Sequence, residues 1–296
     1  MNRVKERYVA EGNWIAESAL HLGGEGEALV NAADMVLVRD SGGGFLIPGA
    51  SIAGAARNYA AQGMVTESLG LRALFGGGGT KPANDDYASL LTVRDGKLNN
   101  QVRAGIRDGV KICPKSGIAE DGAKYDFEAL PKGSSFRLRF ELAMLQSLPH
   151  EVEPDDMLES FKMVLQGFST GAIRLGARTR RGLGAGAADK WTMRRLDMSK
   201  VEHMRAWLAR DLSSVDALPD EWLKVPVPTS RRRFTMDGLF RLKTSLLVRA
   251  APEATASGKQ PDSVQLTEGG VQVLPGTSIA GALRPPTASK FARSGA

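Results

Sequence analysis

The chain has 296 residues, of which 42% are hydrophobic and 24% charged, values that predict a globular protein with a real core. A single cysteine, Cys113, excludes an intrachain disulfide and a cysteine cage for a metal ion. Lys and Arg outnumber Asp and Glu by 39 to 33, and the isoelectric point near 9.5 favours a polyanionic partner. The start of the chain lacks an apolar leader and no apolar run is long enough to span a bilayer, so we expect a cytoplasmic protein without a membrane segment.

The first half of the sequence predicts strands, one helix and a long insertion. A half-buried strand is indicated where more polar residues alternate with Trp14, Ala16, Ser18, Leu20 and Leu22. A short apolar strand follows at residues 35–38, and a Pro-Gly turn leads into a helix over residues 51–62 with Ser51 as its N-cap. Four consecutive glycines at 76–79 are expected to interrupt regular secondary structure. Residues 93–130 are polar and rich in glycine, which predicts an insertion outside the core.

The second half of the sequence predicts a strand, two helices and a linker. Residues 136–142 alternate between apolar and charged side chains, as a strand does, and residues 155–166 place their apolar side chains on one helical face. A loop rich in glycine and arginine follows at 171–186. Ser199-x-x-Glu202 has the spacing of a capping box at the start of another helix. Three prolines and three consecutive arginines predict a linker over residues 213–235.

An internal repeat divides the chain. Residues 45–57 are FLIPGASIAGAAR and residues 272–284 are QVLPGTSIAGALR, and the segments before them align in the same order. Asp34 and Asp262 precede their prolines by nearly equal distances. The second copy continues only as far as one helix, because RPPTASKFARSGA breaks helical character. The predicted boundaries are therefore 1–212 for the first domain, 213–235 for the linker and 236–296 for a truncated second domain.

The repeated PGxS turn is one of two segments suited to phosphate binding. Pro48 fixes the turn, Gly49 permits close backbone approach, and the helix that follows presents free N–H groups and a positive dipole to an anion. An ordinary strand-to-helix turn is the alternative. The recurrence of the turn near Asp262 favours the functional interpretation.

The loop at 171–186 is the second such segment. It combines several glycines, which let backbone amides approach a phosphate, with four arginines, whose guanidinium forks bind phosphate oxygens in pairs. The arginines are Arg174, Arg178, Arg180 and Arg181. A solvated basic loop is the alternative, and the coincidence of both features favours phosphate binding.

Two isolated residues could carry chemistry. His21 stands at a strand end without a second histidine nearby, and a lone histidine is more often structural than catalytic. Asp34 is flanked by apolar residues and is either a turn residue or a carboxylate that orients a divalent ion or accepts a proton from a ribose 2′-hydroxyl.

Residues 20–57, LHLGGEGEALVNAADMVLVRDSGGGFLIPGASIAGAAR, resemble the N-terminal block of type III CRISPR backbone subunits of the RAMP superfamily. LFGGGG at 74–79 is similar to the next element of that family, and residues 103–142 resemble its insertion and exit strand. LGARTRRGLGAG at 175–186 is similar to its glycine-rich loop. The resemblance covers nearly all of residues 7–190 and the start of the second copy.

The resemblance implies an α+β fold: a ferredoxin-like (RRM-like) RAMP domain with an inserted β-hairpin thumb at about 93–130, followed by the start of a second, truncated RAMP domain. Subunits of this kind stack along a CRISPR guide RNA, and the paired target RNA is cut beside each thumb. The implied partners are guide RNA, complementary target RNA, and other effector subunits or fused RAMP domains. The implied activity is that of an endoribonuclease with Mg²⁺ or another divalent cation.

The resemblance also assigns roles to individual residues. Asp34 corresponds to the catalytic aspartate, and Asp262 is its counterpart in the second copy. Arg107 and Lys111 are expected to contact the duplex. The positions that correspond to guide contacts are His21, Gly49, Ser51, Arg57, Arg178, Thr179, Arg180, Arg181 and Gly182.

Two departures from the family pattern leave alternatives open. Ala53 stands where the family has a lysine after the turn, which weakens one phosphate contact. Leu247 stands where the second copy would have its histidine, which makes a second catalytic site at Asp262 less secure. One alternative function is a non-catalytic guide-RNA scaffold. Another is a guide-processing endonuclease of the same superfamily, for which His21 is the candidate catalytic residue.

Overall fold

A computed structural model describes residues 3–24, 33–62, 68–77, 88–113, 119–148, 152–224, 238–250, 264–268 and 270–291. The elements up to residue 208 are β1 (Val4–Ala16), β2 (Leu46–Ile47), α1 (Gly49–Ala61), α2 (Leu69–Phe75), β3 (Leu91–Val93), β4 (Gly96–Leu98), β5 (Gly105–Ile112), β6 (Ala119–Ala129), β7 (Ser135–Leu145), α3 (Pro154–Ser169), β8 (Gly186–Asp197) and α4 (Val201–Leu208). No helix among these ranges or later in the described part is long and apolar enough to cross a bilayer.

The central sheet is antiparallel, with the strand order β2-β4-β7-β1-β8 and with β3 also paired to β7. Side chains alternate across a strand, so one face of β1 and β7 carries large apolar residues such as Trp14, Phe136 and Phe140, all fully buried. Helices α1, α2 and α3 contribute the other side of this core. The expected mixed α+β architecture with an antiparallel sheet is confirmed, as are the predicted strand at 136–142 and helix at 155–166.

The opposite face of the sheet is charged and only partly covered. Glu11 lies opposite Arg139 in the pairing of β1 with β7, and Val9 lies opposite Glu141. The helix α4 covers one end of this face, where Val9 packs in a small apolar cluster. The remainder of the face carries charged side chains instead of a second core layer.

A separate two-stranded hairpin is formed by β5 and β6, with Gly105 opposite Ala129. The predicted insertion at 93–130 was therefore too long at both ends. At its start, β4 belongs to the central sheet, where Lys97 pairs with Arg137 and Gly96 is buried. At its end, Phe127 and Ala129 of β6 and the residue after the hairpin, Leu130, are buried in the protein. These core segments are too short to show a clear apolar periodicity in the sequence, so they were included in the predicted insertion.

The capping box predicted at the start of α4 was wrong. The helix α4 has Lys200 as its N-cap residue without a side-chain cap, because the Ser199 hydroxyl donates to Asp197 Oδ1 instead. Of the predicted linker at 213–235, residues 213–224 are described and pack on β1 and β8: Trp222 stacks on Tyr8 with ring centroids 5.5 Å apart, and nearby backbone groups bond to β8. The rest of the predicted linker lies outside the described residues.

The internal repeat is reproduced in backbone hydrogen bonds. The N–H of Val38 donates to the carbonyl of Leu22 at 3.0 Å, and at the equivalent positions the N–H of Leu266 donates to Val248 at 2.8 Å. The later elements are β9 (Arg249–Ala250), β10 (Val264–Gln265), β11 (Thr267–Glu268), β12 (Val271–Gln272) and α5 (Gly276–Phe291). Both helices of the repeat start at the glycine of their Pro-Gly turn. The expected break of helical character after residue 284 was wrong, because α5 continues to Phe291.

Apolar residues of the second copy are exposed where their counterparts in the first copy are buried. Phe240 is 89% exposed, whereas its counterpart Trp14 is 0% exposed. Ile279 is 41% exposed, whereas Ile52 is 0% exposed. In the first copy these positions pack in the core with β7 and α3, and the described part of the second copy contains no counterpart of those two elements.

Candidate nucleic-acid interface

A groove of about 810 Å³ separates α1 from the glycine- and arginine-rich loop. Its lining has two arginines and no carboxylate among the described residues, so its charge suits a polyanion. The lining residues are Leu22, Gly23, Val38, Pro48, Ser51, Gly54, Ala55, Asn58, Tyr59, Gln62, Gly171, Ala172, Ile173, Arg174, Gly176, Ala177, Thr179 and Arg180. The two sequence segments selected for phosphate binding thus form opposite walls of one groove.

One side of α1 forms a wall of small and amide side chains. Ser51, Gly54, Asn58 and Gln62 recur at helical spacing and all face the groove. Small residues at the start of this stripe allow a nucleic-acid strand to approach the helix closely, and the side-chain amides offer hydrogen-bond donors and acceptors. Arg57 is not among the lining residues, because it lies roughly 120° around the helix axis from the stripe.

The start of α1 differs from the prediction. The helix begins at Gly49 with Pro48 as its N-cap, so Ser51 is an exposed residue of the first turn and its side chain caps nothing. The Gly49 N–H donates instead to Asp95 Oδ1 at 2.7 Å. This carboxylate accepts a hydrogen bond from one free amide, and its negative charge interacts favourably with the positive end of the helix dipole. Gly49 itself is buried against the backbone of Val93, so its lack of a side chain serves packing.

The glycine- and arginine-rich loop owes its shape to residues in the left-handed backbone region. Gly176 has φ +83° and lies so close to His21 that a Cβ would be 2.5 Å from the His21 carbonyl oxygen. A short 3₁₀ turn, Thr179–Arg181, forms the tip of the loop, and Arg174 Nη1 closes it by donating to the carbonyl of Thr179 at 2.9 Å. This geometry leaves Arg180 and Arg181 exposed.

Arg178 joins this loop to the hairpin. Its guanidinium carbon lies 4.2 Å from the ring centroid of Phe127 and 4.8 Å from that of Tyr125, and Nη1 donates to the Tyr125 hydroxyl at 3.1 Å. Nη2 is 3.6 Å from the sulfur of Met35. Arg178 is half-buried and has φ +60°, an uncommon backbone conformation for arginine. Its contacts therefore lie within the protein, and Arg180 is better placed to meet a ligand in the groove.

His21 is buried, at 2% exposure, and does not line the groove. Its Nδ1 is 2.7 Å from the carbonyl oxygen of Glu128, and its ring meets the Phe127 ring edge-on at 5.3 Å. The carbonyl of His21 accepts the N–H of Ala177 at 2.8 Å. The histidine thus braces the loop against the base of the hairpin, in agreement with the structural interpretation of a lone histidine.

Asp34 is exposed beside the hairpin. Its Oδ2 accepts the backbone N–H of Asp126 at 2.9 Å, which fixes the carboxylate against β6. Burial of the carboxyl, with the hydrogen bond and charge of Asp108, raises the pKa of Asp126, and the charge of Asp34 adds to the effect. Asp34 is therefore a held carboxylate next to a second carboxyl group that binds protons more readily than usual.

A pair of residues that the sequence did not indicate holds the Asp34 segment in place. Glu128 accepts two hydrogen bonds from Arg39, at 3.0 and 3.1 Å, and one from the N–H of Leu37 at 2.9 Å. The hydrogen bond from Arg39 outweighs burial and lowers the pKa of Glu128. Arg39 and Glu128 are 89 positions apart, so no local pattern could have paired them.

The remaining predicted site residues lie at the contact between the two copies or beyond the described residues. Arg107 Nη2 is 3.6 Å from Glu268 Oε2, and this ion pair occupies the side chain that was expected to contact a duplex. Gly182 has φ +92° and lies beside Gly276, the first residue of α5. Asp262 and the side chain of Lys111 lie outside the described residues.

The described side chains do not form a cage for the expected divalent cation. Among the described residues, no three or more His, Cys, Asp or Glu side chains are grouped so as to hold a metal ion. Asp34 already accepts a backbone N–H, and Asp126 interacts with the carboxyl of Asp108. The side chains in the described part of the chain therefore do not fit a resident metal ion held by the protein alone.

Comparison with known protein families identifies a match. The sequence pattern of the RAMP superfamily matches residues 16–186, which include β1's last residue, the groove, the hairpin and the glycine- and arginine-rich loop. No curated protein matches the chain.

Proposed function

The chain belongs to the RAMP superfamily, which implies a CRISPR-associated, RNA-binding function, and we propose that it is a guide-RNA-binding backbone protein of a type III effector. The observation that carries this proposal is the groove between α1 and the glycine- and arginine-rich loop. Proteins of this superfamily typically bind CRISPR RNA and other effector subunits, and the groove offers guide RNA a basic wall opposite a wall of small residues and amides.

The groove suits the backbone of a single strand more than a base. Arg174 and Arg180 reach it from the loop, and glycines in the same wall permit backbone amides to approach phosphate oxygens. Among the described lining residues no aromatic ring is exposed, since Tyr59 is buried. Binding should therefore depend on salt concentration and vary little with base sequence.

This proposal can be tested with Arg174→Gln combined with Arg180→Gln. The double variant should bind guide RNA more weakly whatever the sequence, and the slope of log affinity against log salt should flatten by up to about 1.4. Arg205→Gln combined with Lys200→Gln is the matched control, because Arg205 in the last turn of α4 and Lys200 just before the helix are both exposed and outside the groove. Equal slopes for the wild type and the groove variant would contradict the proposal.

The finer architecture belongs to the same proposal. The central antiparallel sheet with helices on one face supports a ferredoxin-like, RRM-like domain, and the hairpin β5–β6 is the candidate thumb. The equivalent hydrogen bonds of the two copies support a tandem arrangement in which residues 236–296 begin a second RAMP unit. Other effector subunits or further RAMP units are the proposed protein partners.

Target cleavage is a second candidate activity, and the position of Asp34 favours it. The carboxylate is exposed, held by Asp126, and placed beside the hairpin that would separate the paired strands. It could accept the proton of a ribose 2′-hydroxyl, whose oxygen then attacks the adjacent phosphorus and releases the 5′-oxygen of the next nucleotide. The products would carry a 2′,3′-cyclic phosphate and a 5′-hydroxyl.

Asp34→Asn should abolish cleavage and leave guide affinity within about twofold, because affinity arises from phosphate contacts elsewhere. A target with one 2′-deoxy nucleotide at the cut site should resist the wild type. Asp40→Asn is the matched control, since Asp40 is an exposed turn residue of the same segment. Cleavage by Asp34→Asn at the wild-type rate would contradict a catalytic role for Asp34, and only the scaffold function would remain.

A further inference from the structure

A second groove, of about 630 Å³, lies on the charged face of the central sheet, opposite the face that packs against α1, α2 and α3. Its floor is made by β1, β7 and β8, and the segment after α4 forms one rim. Six of its lining residues are cationic: Arg94, Lys97, Arg137, Arg139, Arg194 and Arg210. None of them lines the guide groove.

Two carboxylates share four of these guanidinium groups. Glu11 is 3.1 Å from both Arg137 and Arg139 and 3.8 Å from Arg194. Glu141, only 3% exposed, is 3.1 Å from Arg139 and 3.4 Å from Arg94. Asp95 and Asp211 also line the groove, so its six cationic side chains face four carboxylates, counting Glu141, and an excess of positive charge remains.

Two of these cationic side chains, Lys97 and Arg137, lie where β4 pairs with β7. Lys97 lies directly opposite Arg137 in the strand pairing, and like charges at opposed positions destabilise a sheet. Both side chains are well exposed, and Lys97 makes no ion pair with any described residue. Arg210 at the rim is also without an ion pair in the described part of the chain. An anion between Lys97 and Arg137 would relieve the repulsion.

We propose that this groove binds the phosphate groups of a single RNA strand, at a site separate from the guide groove. Guanidinium forks match the geometry of phosphate oxygens, and the described lining contains no aromatic side chain on which a base could stack. The nearby indole of Trp207 already has partners within the protein. Arg7 lies 4.1 Å from the ring centroid of Trp207, and the Nε1 of Trp207 donates to Glu141. Recognition is therefore of backbone phosphate and independent of base sequence.

Thermal unfolding in inorganic phosphate gives the first test. Lys97→Gln removes a repelled charge that no ion pair uses, so the variant should be at least as stable as the wild type in phosphate-free buffer. Phosphate should raise the Tm of the wild type and raise that of Lys97→Gln by about half as much. Equal phosphate shifts in the two proteins would overturn the site.

Oligouridylate binding gives the second test and separates the two grooves. Lys97→Gln combined with Arg137→Gln should flatten the salt slope by up to about 1.4. This loss should add to that of Arg174→Gln with Arg180→Gln, whether or not the guide groove proves to bind RNA. Arg195→Gln is the matched control, because Arg195 is an equally exposed arginine of β8 that pairs with Glu6 outside this groove. An unchanged slope, or displacement of RNA by oligoglutamate at lower concentration than by oligouridylate, would overturn the proposal in favour of an acidic protein partner.

Discussion

The guanidinium of Arg178 lies 4.2 Å from the ring centroid of Phe127, and this contact ties the glycine- and arginine-rich loop to the base of the hairpin. A cation over an aromatic ring contributes about 0.5 to 2 kcal/mol, depending on its exposure to water. Arg178→Ala should therefore lower the free energy of unfolding by about 1–2 kcal/mol and speed hydrogen exchange near Tyr125. Arg178→Lys keeps the charge but loses the planar stack and the fork, so it should loosen the hairpin almost as much. A lysine variant with wild-type exchange rates would show that charge alone matters here.

The ion pair of Arg39 with Glu128 predicts a pH dependence. The pKa of Glu128 is lowered in the folded protein, so its contribution to stability is fully present above the ordinary glutamate value of 4.5 and is lost as the pH falls through the lower folded value. Glu128→Gln should cost about 1–2 kcal/mol at neutral pH, allowing for the partial exposure of Arg39. The variant should also lose less stability than the wild type on acidification below 4.5. Urea unfolding across this pH range measures both effects, and parallel profiles would contradict the assignment.

Sequence patterns predicted the elements with strong periodicity and missed those fixed by distant contacts. The strand β7 and the helix α3 were predicted because each has a long alternating or helical apolar pattern. The helix α1 was found, but its cap was misassigned, because Asp95 lies 46 positions from Gly49 and only the folded sheet brings them together.

The sequence predicted two phosphate-binding segments, the PGxS turn and the loop at 171–186. It could not show that they line the same groove, because they are far apart in the chain. The burial of His21 and the packing of Arg178 on Tyr125 and Phe127 depend on the hairpin, which folds back onto the loop. A sequence assigns side-chain types to a site, but exposure is decided by such long-range packing. Arg178 was therefore expected to face a ligand and instead packs within the protein.

The repeat offers a matched pair of substitutions. Trp14 and Phe240 are equivalent positions, fully buried and 89% exposed respectively. Trp14→Ala should cost about 3–5 kcal/mol, because it empties a core position, whereas Phe240→Ala should change stability by less than about 0.5 kcal/mol. Phe240→Ser should also reduce the binding of an apolar dye without changing the Tm. A large loss of stability in Phe240→Ala would mean that the second copy buries this ring in solution.

The hairpin can be shortened without touching the core. Val110 lies opposite Lys124 in its register, so replacing residues 111–123 with Asn-Gly closes the two strands through a two-residue turn. The buried residues at its base, Phe127 and Ala129, remain in place. We therefore expect the shortened protein to keep its Tm within a few degrees and to bind guide RNA as before.

The same deletion should abolish regularly spaced cutting of a paired target, if the hairpin separates the strands beside Asp34. Ile106 and Val110, which are 49% and 47% exposed on β5, stay in place in the shortened protein, so the deletion tests residues 111–123 alone. A variant in which 111–123 is replaced by a Gly-Ser segment of equal length is the control, because it restores the reach of the hairpin but not its side chains. Gel analysis of cleavage products distinguishes the outcomes. A ladder that persists in the shortened protein would show that residues 111–123 do not position the target. A ladder restored by the Gly-Ser segment would show that these residues supply length and not side-chain contacts.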